Sequence, residues 1–236
     1  MTNENLDQTL NQFLQSSTSF VRQEALKVLY RQSLFATAKH LLDYKDTNHH
    51  THDKMIKALE APSKRKLIVM PRGTFKSSIC CVAYPIWLLM QNPNLRILID
   101  SEIFTNSKNF LSETKNHLNS SRFVSIFGSW QSNDNWTQTS ITLNTRTKNL
   151  KEASITCSGV GATKVGQHYD VIIGDDYNSD KNSANPEQRK KVVDHYRMNL
   201  SILEPEGIYV IVGTRYAADD VIGHILTNEV IHGDRL

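Results

Sequence analysis

Disulfide bridges, membrane anchors and a strong net charge are all missing from this sequence. Its three cysteines, two of them adjacent at Cys80 and Cys81, make no disulfide framework and indicate a reducing compartment. The longest apolar run, 79–90, contains Pro85 and is too short to span a bilayer. The net charge of +3 is too small to indicate nucleic-acid binding by itself, and the polar N-terminus carries no secretory signal. The 236 residues are enough to bury one good hydrophobic core.

A phosphate-binding loop is predicted within residues 66–78. A short apolar run stops there at a Pro/Gly turn, and Lys76-Ser77 then opens an apolar, helical segment. In such a strand–turn–helix unit, backbone N–H groups face the phosphates, the lysine reaches the β- and γ-oxygens and the serine ligates Mg²⁺. The usual spacing, G-x-x-x-x-G-K-[ST], has glycines where this chain has Met70 and Phe75, so the motif needs support from elsewhere. The predicted ATP-binding residues of the loop are Pro71, Arg72, Gly73, Thr74, Phe75, Lys76, Ser77 and Ser78.

Two adjacent carboxylates about a hundred residues further on provide that support. The segment 169–176 predicts a buried parallel strand that ends in Asp175 and Asp176. A P-loop ATPase needs one acid at such a strand end to hold Mg²⁺ and a neighbouring acid to activate the attacking water. We assign Asp175, together with Ser77, to the metal and Asp176 to the water. A solvated turn after the strand is the alternative interpretation, and the presence of Lys76-Ser77 favours the catalytic one.

Strands and helices are predicted to alternate along most of the chain. Helices are expected within 19–42, at 55–59, over 76–91 and 106–118, from Pro186 to about 203, and after 219, with a polar break at 46–51 and a small helical cap over 120–135. Because chemistry at the carboxyl ends of strands is typical of parallel α/β sheets, we expect an α/β fold. Its core would cover residues 61–236, preceded by a helical extension over 1–60 in which residues 1–17 form a loose leader or short helix.

Four segments together resemble the ATPase domain of the large terminase subunit, the motor that packages double-stranded DNA into tailed-phage and herpesvirus capsids. They are Pro71–Ser77, Pro93–Ile99, Gly166–Asp176 and Gly213–Gly223. The resemblance covers about residues 65–225 and implies a P-loop NTPase fold of the RecA/ASCE type, with a mainly parallel sheet flanked by helices. It implies Mg²⁺-dependent ATP hydrolysis, and it assigns the coupling of hydrolysis to movement to Gly213, Thr214 and Arg215.

The resemblance also implies a biological setting. The partners would be double-stranded DNA, a portal protein and a small terminase subunit, without a membrane, in the cytoplasm of an infected bacterial host. Subunits would form a homo-oligomeric ring when assembled and be monomeric in isolation. Large terminases carry a further nuclease domain, but nothing after Gly213 is long enough to build one. We therefore expect a motor without nuclease activity.

The chain departs from the terminase pattern at two places. The second acid in such motors is commonly glutamate, whereas here it is Asp176, which is one methylene shorter. Terminases also tend to have an arginine shortly before the acidic strand, and residues 163–168 contain none. The cation that stabilises the transition state is therefore open between Arg72, Lys164 and Arg215.

Several further residues have competing interpretations. Gln32 lies upstream of the phosphate loop, where related ATPases place a residue that reads adenine. His49, His50 and His52 could be metal ligands, but a solvated helix is favoured because no fourth ligand stands at a suitable spacing. Phe75 could mark a decayed loop that binds nothing. Otherwise its ring is expected to face out of the cradle, provided that the backbone avoids a positive φ.

Three other functions compete with the DNA-packaging motor. A helicase-like, nucleic-acid-dependent ATPase would share the core but needs a second similar domain. A small-molecule or nucleoside kinase would share the phosphate loop but is expected to have an arginine-rich lid. A nucleotide-binding scaffold would bind without hydrolysis.

Overall fold

The computed structural model describes residues 18–229, with the exception of Thr163 and Val165. The leader predicted over residues 1–17 lies outside the described residues. The helices are α1 (Ser19–Gln32), α2 (Leu34–Ala36, continued by the π-helical turn Thr37–Leu41), α3 (His49–Glu60), α4 (Lys76–Ser78, the π-helical turn Ile79–Ala83 and Tyr84–Gln91), α5 (Phe104–Leu118), α6 (Ser121–Phe127), α7 (Asp180–Ser183), α8 (Pro186–Ser201) and α9 (Val221–Asn228). The strands are β1 (Arg65–Val69), β2 (Ile97–Ser101), β3 (Gln131–Trp136), β4 (Ser140–Leu143), β5 (Ile155–Gly159), β6 (Tyr169–Asp175) and β7 (Leu203–Gly213). Within this part of the chain, no helix has both the length and the apolar character needed to cross a membrane.

The described strands form one sheet in the order β1-β7-β6-β2-β5-β4-β3. The first five strands in that order run parallel, and β4 and β3 are added as antiparallel strands. The prediction of an α/β fold with a mainly parallel sheet is confirmed. Because β7 lies between β1 and β6, the carboxyl ends of these three strands meet at one edge, which is where α/β proteins bind ligands.

Successive residues of the central strands alternate between two hydrophobic layers. On β2, Ile97 and Ile99 join the layer formed with α4 and α5, whereas Leu98 joins the layer formed with α8 and α9. Strand β6 from Val171 onward and strand β7 from Ile208 onward follow the same alternation. The sheet is therefore covered by helices on both faces, as its nearly continuous apolar strands require.

The N-terminal helices pack into the first of these layers. Tyr30 at the end of α1 and Leu59 of α3 belong to the same buried cluster as Ile68 of β1. Arg31 Nε also donates to the carbonyl of Met90 in the last turn of α4, at 3.1 Å. The predicted division at residue 60 stays a prediction, but the described helices before it share the core of the sheet.

Two of the boundaries expected from the sequence are wrong. The polar break expected over 46–51 ends earlier, because α3 already begins at His49. Asn48 is a favourable N-cap, and its side chain accepts a backbone N–H of the first turn of this helix. The helical cap over 120–135 ends early, since Gly128 stops α6 with a φ of +79° and strand β3 follows. The sequence 131–136 is polar and would not be assigned to a strand by its own pattern, so pairing with β4 decides its structure.

Arg96, directly before β2, binds carboxylates near the beginnings of three other strands. Its guanidinium contacts Asp170 of β6 at 2.9 Å, Glu204 of β7 at 2.7 Å and Glu152, just before β5, at 3.5 Å. Only 14% of the Arg96 side chain is exposed. Removing this one cation would leave three partly buried carboxylates without their common partner.

We expect Arg96→Met to lower the free energy of unfolding by about 2–4 kcal/mol, since it leaves desolvated charges uncompensated. Denaturant titration measures the change. As a control, Lys27→Met removes a partner from an exposed pair with Glu24 and should cost less than about 0.5 kcal/mol. Equal losses in the two variants would show that the cluster adds no more than a surface ion pair.

Candidate active site

The predicted phosphate loop follows β1 and is tied to the end of β7. Met70 N–H donates to the carbonyl of Gly213, and the Thr214 hydroxyl donates to the carbonyl of Met70, both at 3.4 Å. Within the loop, the Thr74 hydroxyl donates to the carbonyl of Pro71 at 2.8 Å. Two of the predicted coupling residues, Gly213 and Thr214, therefore contact the first residue of the loop.

Phe75 adopts a left-handed backbone conformation, with a φ of +60°. The condition set for an outward-facing ring, a backbone that avoids a positive φ, is therefore not met. Such a conformation costs a non-glycine residue about 1–3 kcal/mol and persists only when its surroundings enforce it. Here the ring packs edge-on against Tyr44, with ring centroids 5.0 Å apart. The Tyr44 hydroxyl in turn donates to the carboxylate of Glu113 at 2.5 Å. The phenylalanine therefore faces the segment between α2 and α3, which holds the strained loop from outside.

His52 supports the same loop one residue earlier. Its Nε2 lies 3.0 Å from the carbonyl oxygen of Thr74, and its Nδ1 lies 3.1 Å from the backbone nitrogen of Asn48. The Nδ1 also lies 3.1 Å from the carbonyl oxygen of Asn48, so the imidazole links the N-cap of α3 to the loop. The side chain is 3% exposed, so the interpretation of His52 as part of a solvated helix is wrong. Among the described residues, no group of three or more His, Cys, Asp or Glu side chains is placed to hold a metal.

Helix α4 begins at Lys76, and its first turn reaches the end of β6. Ser77 Oγ donates to Asp175 Oδ1 at 2.7 Å, although the two residues are 98 positions apart in the sequence. Lys76 is 5% exposed and close enough to Asp175 to affect its ionisation. The predicted lysine, serine and first acid are therefore brought together.

Asp175 is a buried acid with an unusual proton affinity. Burial raises its pKa to about 7, and the neighbouring carboxylate of Asp176 adds to the increase, while the Ser77 hydroxyl and the Lys76 ammonium oppose it. A raised pKa means that a cation placed beside this carboxylate would be strongly favoured. A hydroxyl and a carboxylate are also oxygen ligands of the kind that Mg²⁺ prefers. Ser77 and Asp175 therefore fit the predicted metal role.

Asp176 has a different environment from Asp175. It is half-buried, and its φ of +40° turns the chain sharply after β6. Its backbone N–H donates to the carbonyl of Val212 on β7 at 2.9 Å. The turn separates the two acids, so that Asp175 lies below the phosphate loop and Asp176 lines an open cleft.

The cleft above the carboxyl ends of the strands has a volume of about 350 Å³. Its lining residues are Arg72, Gly73, Lys76, Glu102, Asn106, Asp176, Asn178, Ser179 and Tyr216. Four of these were predicted from the sequence: Arg72, Gly73, Lys76 and Asp176. Residues from the centre of the predicted loop and the predicted base therefore line the same cleft.

Other predicted residues do not line this cleft. Lys164 is buried and its ammonium contacts Asp100 at 2.9 Å. Arg215 is exposed and donates to the carbonyls of its own loop. Gln32 is exposed at the end of α1, and Ser78 lies half-buried in the first turn of α4. Of the three candidate cations, Arg72 alone lines the cleft; its guanidinium contacts the hydroxyl of Tyr216 there.

Glu102 is a cleft carboxylate that the sequence interpretation missed. It follows β2, and its Oε1 accepts from the Ser179 hydroxyl at 2.6 Å and from Asn182 Nδ2 at 2.9 Å. The sequence signal was available, since Glu102 comes one residue after a buried strand that belongs to the same sheet. Two donors on one oxygen hold the carboxylate in place at the edge of the cleft.

Comparison with known proteins supports the fold and nothing finer. No protein-family model matches the sequence, and no curated protein sequence matches it significantly. Among solved structures, the chain is similar to a variant of S. cerevisiae Dbp5 bound to Nup159, a Gle1 variant, IP6 and ADP, with a TM-score of 0.51 and 10% sequence identity. The match covers 82% of this chain and 49% of that chain, so this chain spans about half of its length. We take from it the α/β architecture alone.

The raised pKa of Asp175 predicts that this acid destabilises the metal-free protein at neutral pH. Its folded pKa of about 7 exceeds the ordinary value of 3.8, so the free energy of unfolding falls as pH rises between these values. We expect Asp175→Asn, measured with EDTA at pH 8, to be more stable than the wild type by about 2–4 kcal/mol, a difference that shrinks toward pH 5.

Asp170→Asn is the matched control for this experiment. Burial alone would raise the pKa of Asp170, but its hydrogen bonds from Arg96 outweigh burial and lower it. The same substitution should therefore reduce stability at pH 8. An Asp175→Asn protein that is less stable than the wild type at pH 8 would contradict the account.

Proposed function

We propose that this chain is a Mg²⁺-dependent ATPase of the P-loop class. The observation that carries the proposal is the contact between Ser77 and Asp175 beneath a cleft lined by Lys76 and Asp176. These are the hydroxyl, the metal-binding acid, the phosphate-binding lysine and the water-activating acid that hydrolysis of a nucleoside triphosphate requires. A kinase is less well supported, because a second acid beside the first suits the activation of water.

Each proposed role follows from the position of a side chain. Lys76 would offset the charge of the β- and γ-phosphates, and Asp176 would accept the proton of the attacking water. Ser77 and Asp175 would hold Mg²⁺, which neutralises phosphate charge when it is bound. Arg72 lines the same cleft, and we assign it the stabilisation of the negative charge of the transition state, a role that the sequence left open between three cations. The exposed first part of the loop, Pro71 to Gly73, would present backbone N–H groups to the phosphates.

Within this class, we propose the motor domain of a DNA-packaging terminase. The four sequence segments that resemble terminases support it, and so does the contact of Thr214 with Met70, which joins the predicted coupling segment to the phosphate loop. In this proposal the partners are double-stranded DNA, a portal protein and a small terminase subunit, in the host cytoplasm, and the RecA-like motor works as a ring.

A helicase-like ATPase is the second candidate, because the similar solved structure is a Dbp5 complex that contains ADP. ATPase assays separate the two functions. Stimulation by double-stranded DNA or a portal protein supports the packaging motor, whereas stimulation by single-stranded nucleic acid alone supports the helicase-like alternative.

Lys76→Ala tests the nucleotide site directly. Loss of a close charge partner in a partly desolvated site costs about 1.5–3 kcal/mol, so the dissociation constant for ATP should rise by about one to two orders of magnitude. Calorimetric titration measures it. Lys57→Ala is the control, because that lysine is 71% exposed on α3 and should leave the affinity unchanged. Equal affinities of wild type and Lys76→Ala would sink the assignment.

A paired substitution tests which carboxylate is the base. Asp176→Asn keeps the shape of the side chain but cannot take a proton, so ATP should bind while turnover falls by about 100-fold or more. Glu102→Gln keeps an oxygen that accepts from Ser179 and Asn182, and turnover should fall by less than about ten-fold. The reverse result would transfer the role of base to Glu102.

A further inference from the structure

A buried polar cluster lies beside the cleft and centres on Asp100 of β2. Four groups lie within hydrogen-bonding distance of Asp100 Oδ2: His195 Nε2 at 2.6 Å, Asn199 Nδ2 at 2.7 Å, Lys164 Nζ at 2.9 Å and the Tyr177 hydroxyl at 2.9 Å. None of the five side chains is more than 5% exposed. They come from β2, the segment before β6, the turn after β6, and α8, so one carboxylate joins four separate parts of the chain.

The cluster contains one buried ion pair, and its donors converge on a single oxygen, since Asp100 Oδ1 is buried without a hydrogen-bond partner among the described residues. Lys164 supplies one positive charge against Asp100, and His195 contacts Asp100 through Nε2 while its Nδ1 lies 3.4 Å from the backbone nitrogen of Gly161. Burial alone would raise the pKa of Asp100, but the hydrogen bond from His195 and the charge of Lys164 outweigh it and lower the pKa to about 2. Asp100 is therefore a fixed anion that anchors its donors.

Tyr177 connects this anion to the cleft. It immediately follows Asp176, and its ring lies so close to β6 that a Cβ on Gly174 would stand 2.4 Å from the ring. Its carbonyl accepts from Asn182 Nδ2 at 2.7 Å. The ring, the hydroxyl and the backbone of Tyr177 are thus all held, which leaves the preceding residue little freedom.

Asp176 needs such a constraint. A φ of +40° is unfavourable for a non-glycine residue, and the hydrogen bond from its N–H to β7 fixes only one side of the turn. A proton acceptor that shifts by about 1 Å can lose about 100-fold in rate, even when binding is unaffected. A substitution of the residue after Asp176 can therefore change the rate of hydrolysis, although that residue does not contact the nucleotide.

We propose that Tyr177 is a positioning residue for hydrolysis, and that the Asp100 cluster holds it so that Asp176 keeps its place at the cleft. The inference rests on the proposed ATPase function and deepens it. It also gives Lys164 a role other than that of transition-state cation, for which it was one of three candidates. In this role the Lys164 ammonium balances the charge of Asp100, which accepts the Tyr177 hydroxyl.

Tyr177→Phe tests the proposal, because it removes one hydroxyl and keeps the ring against Gly174. Tyr209→Phe is its matched control: Tyr209 is equally buried, and its hydroxyl contacts Tyr177 and Asn199 but not Asp100. We expect kcat of Tyr177→Phe to fall by about ten-fold, with KM and the ATP dissociation constant within about two-fold of wild type. Tyr209→Phe should keep kcat within about two-fold of wild type. Its change in thermal stability should be similar to that of Tyr177→Phe.

Each outcome bears on a different claim. Similar kcat in Tyr177→Phe and Tyr209→Phe overturns the positioning role and leaves the ATPase proposal intact. A wild-type protein that binds no ATP or never hydrolyses it overturns the proposed function and this inference with it. If Tyr177→Phe does not fold, the double variant Asp100→Leu/Lys164→Met removes both buried charges and the acceptor of the Tyr177 hydroxyl together, and it should lower kcat while KM stays within about two-fold of wild type. Unchanged kcat in that variant also refutes the proposal.

Discussion

The hydrogen bond from Ser77 to Asp175 depends on the whole topology of the sheet. Ser77 follows β1, Asp175 ends β6, and β7 lies between the two strands. The contact forms only if the loop after β1 brings the start of α4 close to the carboxyl end of β6, and the three strands end at the same level. Both hydrophobic layers, and the helices that cover them, serve to hold that geometry while keeping water from the acid beneath the loop.

The proximity of the candidate site residues was readable from the sequence because each of them lies at or after the end of an apolar strand. Lys76, Ser77, Asp175 and Asp176 all follow such runs, and parallel strands bring their carboxyl ends together. The binding of Lys164 to Asp100 was not readable in this way, since the two residues are 64 positions apart and no local pattern pairs them. An ion pair of this kind is decided by how the loop before β6 runs past β2.

Other differences arose where local preference and tertiary packing disagree. Phenylalanine disfavours a positive φ, yet contact with Tyr44 overrides the preference at Phe75. The polar residues of β3 have little strand propensity, yet pairing with β4 at the sheet edge imposes extended structure. Glu102 was missed for another reason: it stands alone after its strand, and a single acid carries no signal until its neighbours Ser179 and Asn182 are known.

Support of the phosphate loop by Tyr44 and His52 has a consequence for where the chain can be divided. Both residues precede β1, within the stretch that the sequence marked as an accessory extension, and they touch Phe75 and Thr74 from outside. A protein cut at residue 60 would keep the side chains that line the cleft but lose the contacts that support the loop from outside. The smallest unit in which this loop keeps its support therefore begins well before the first strand.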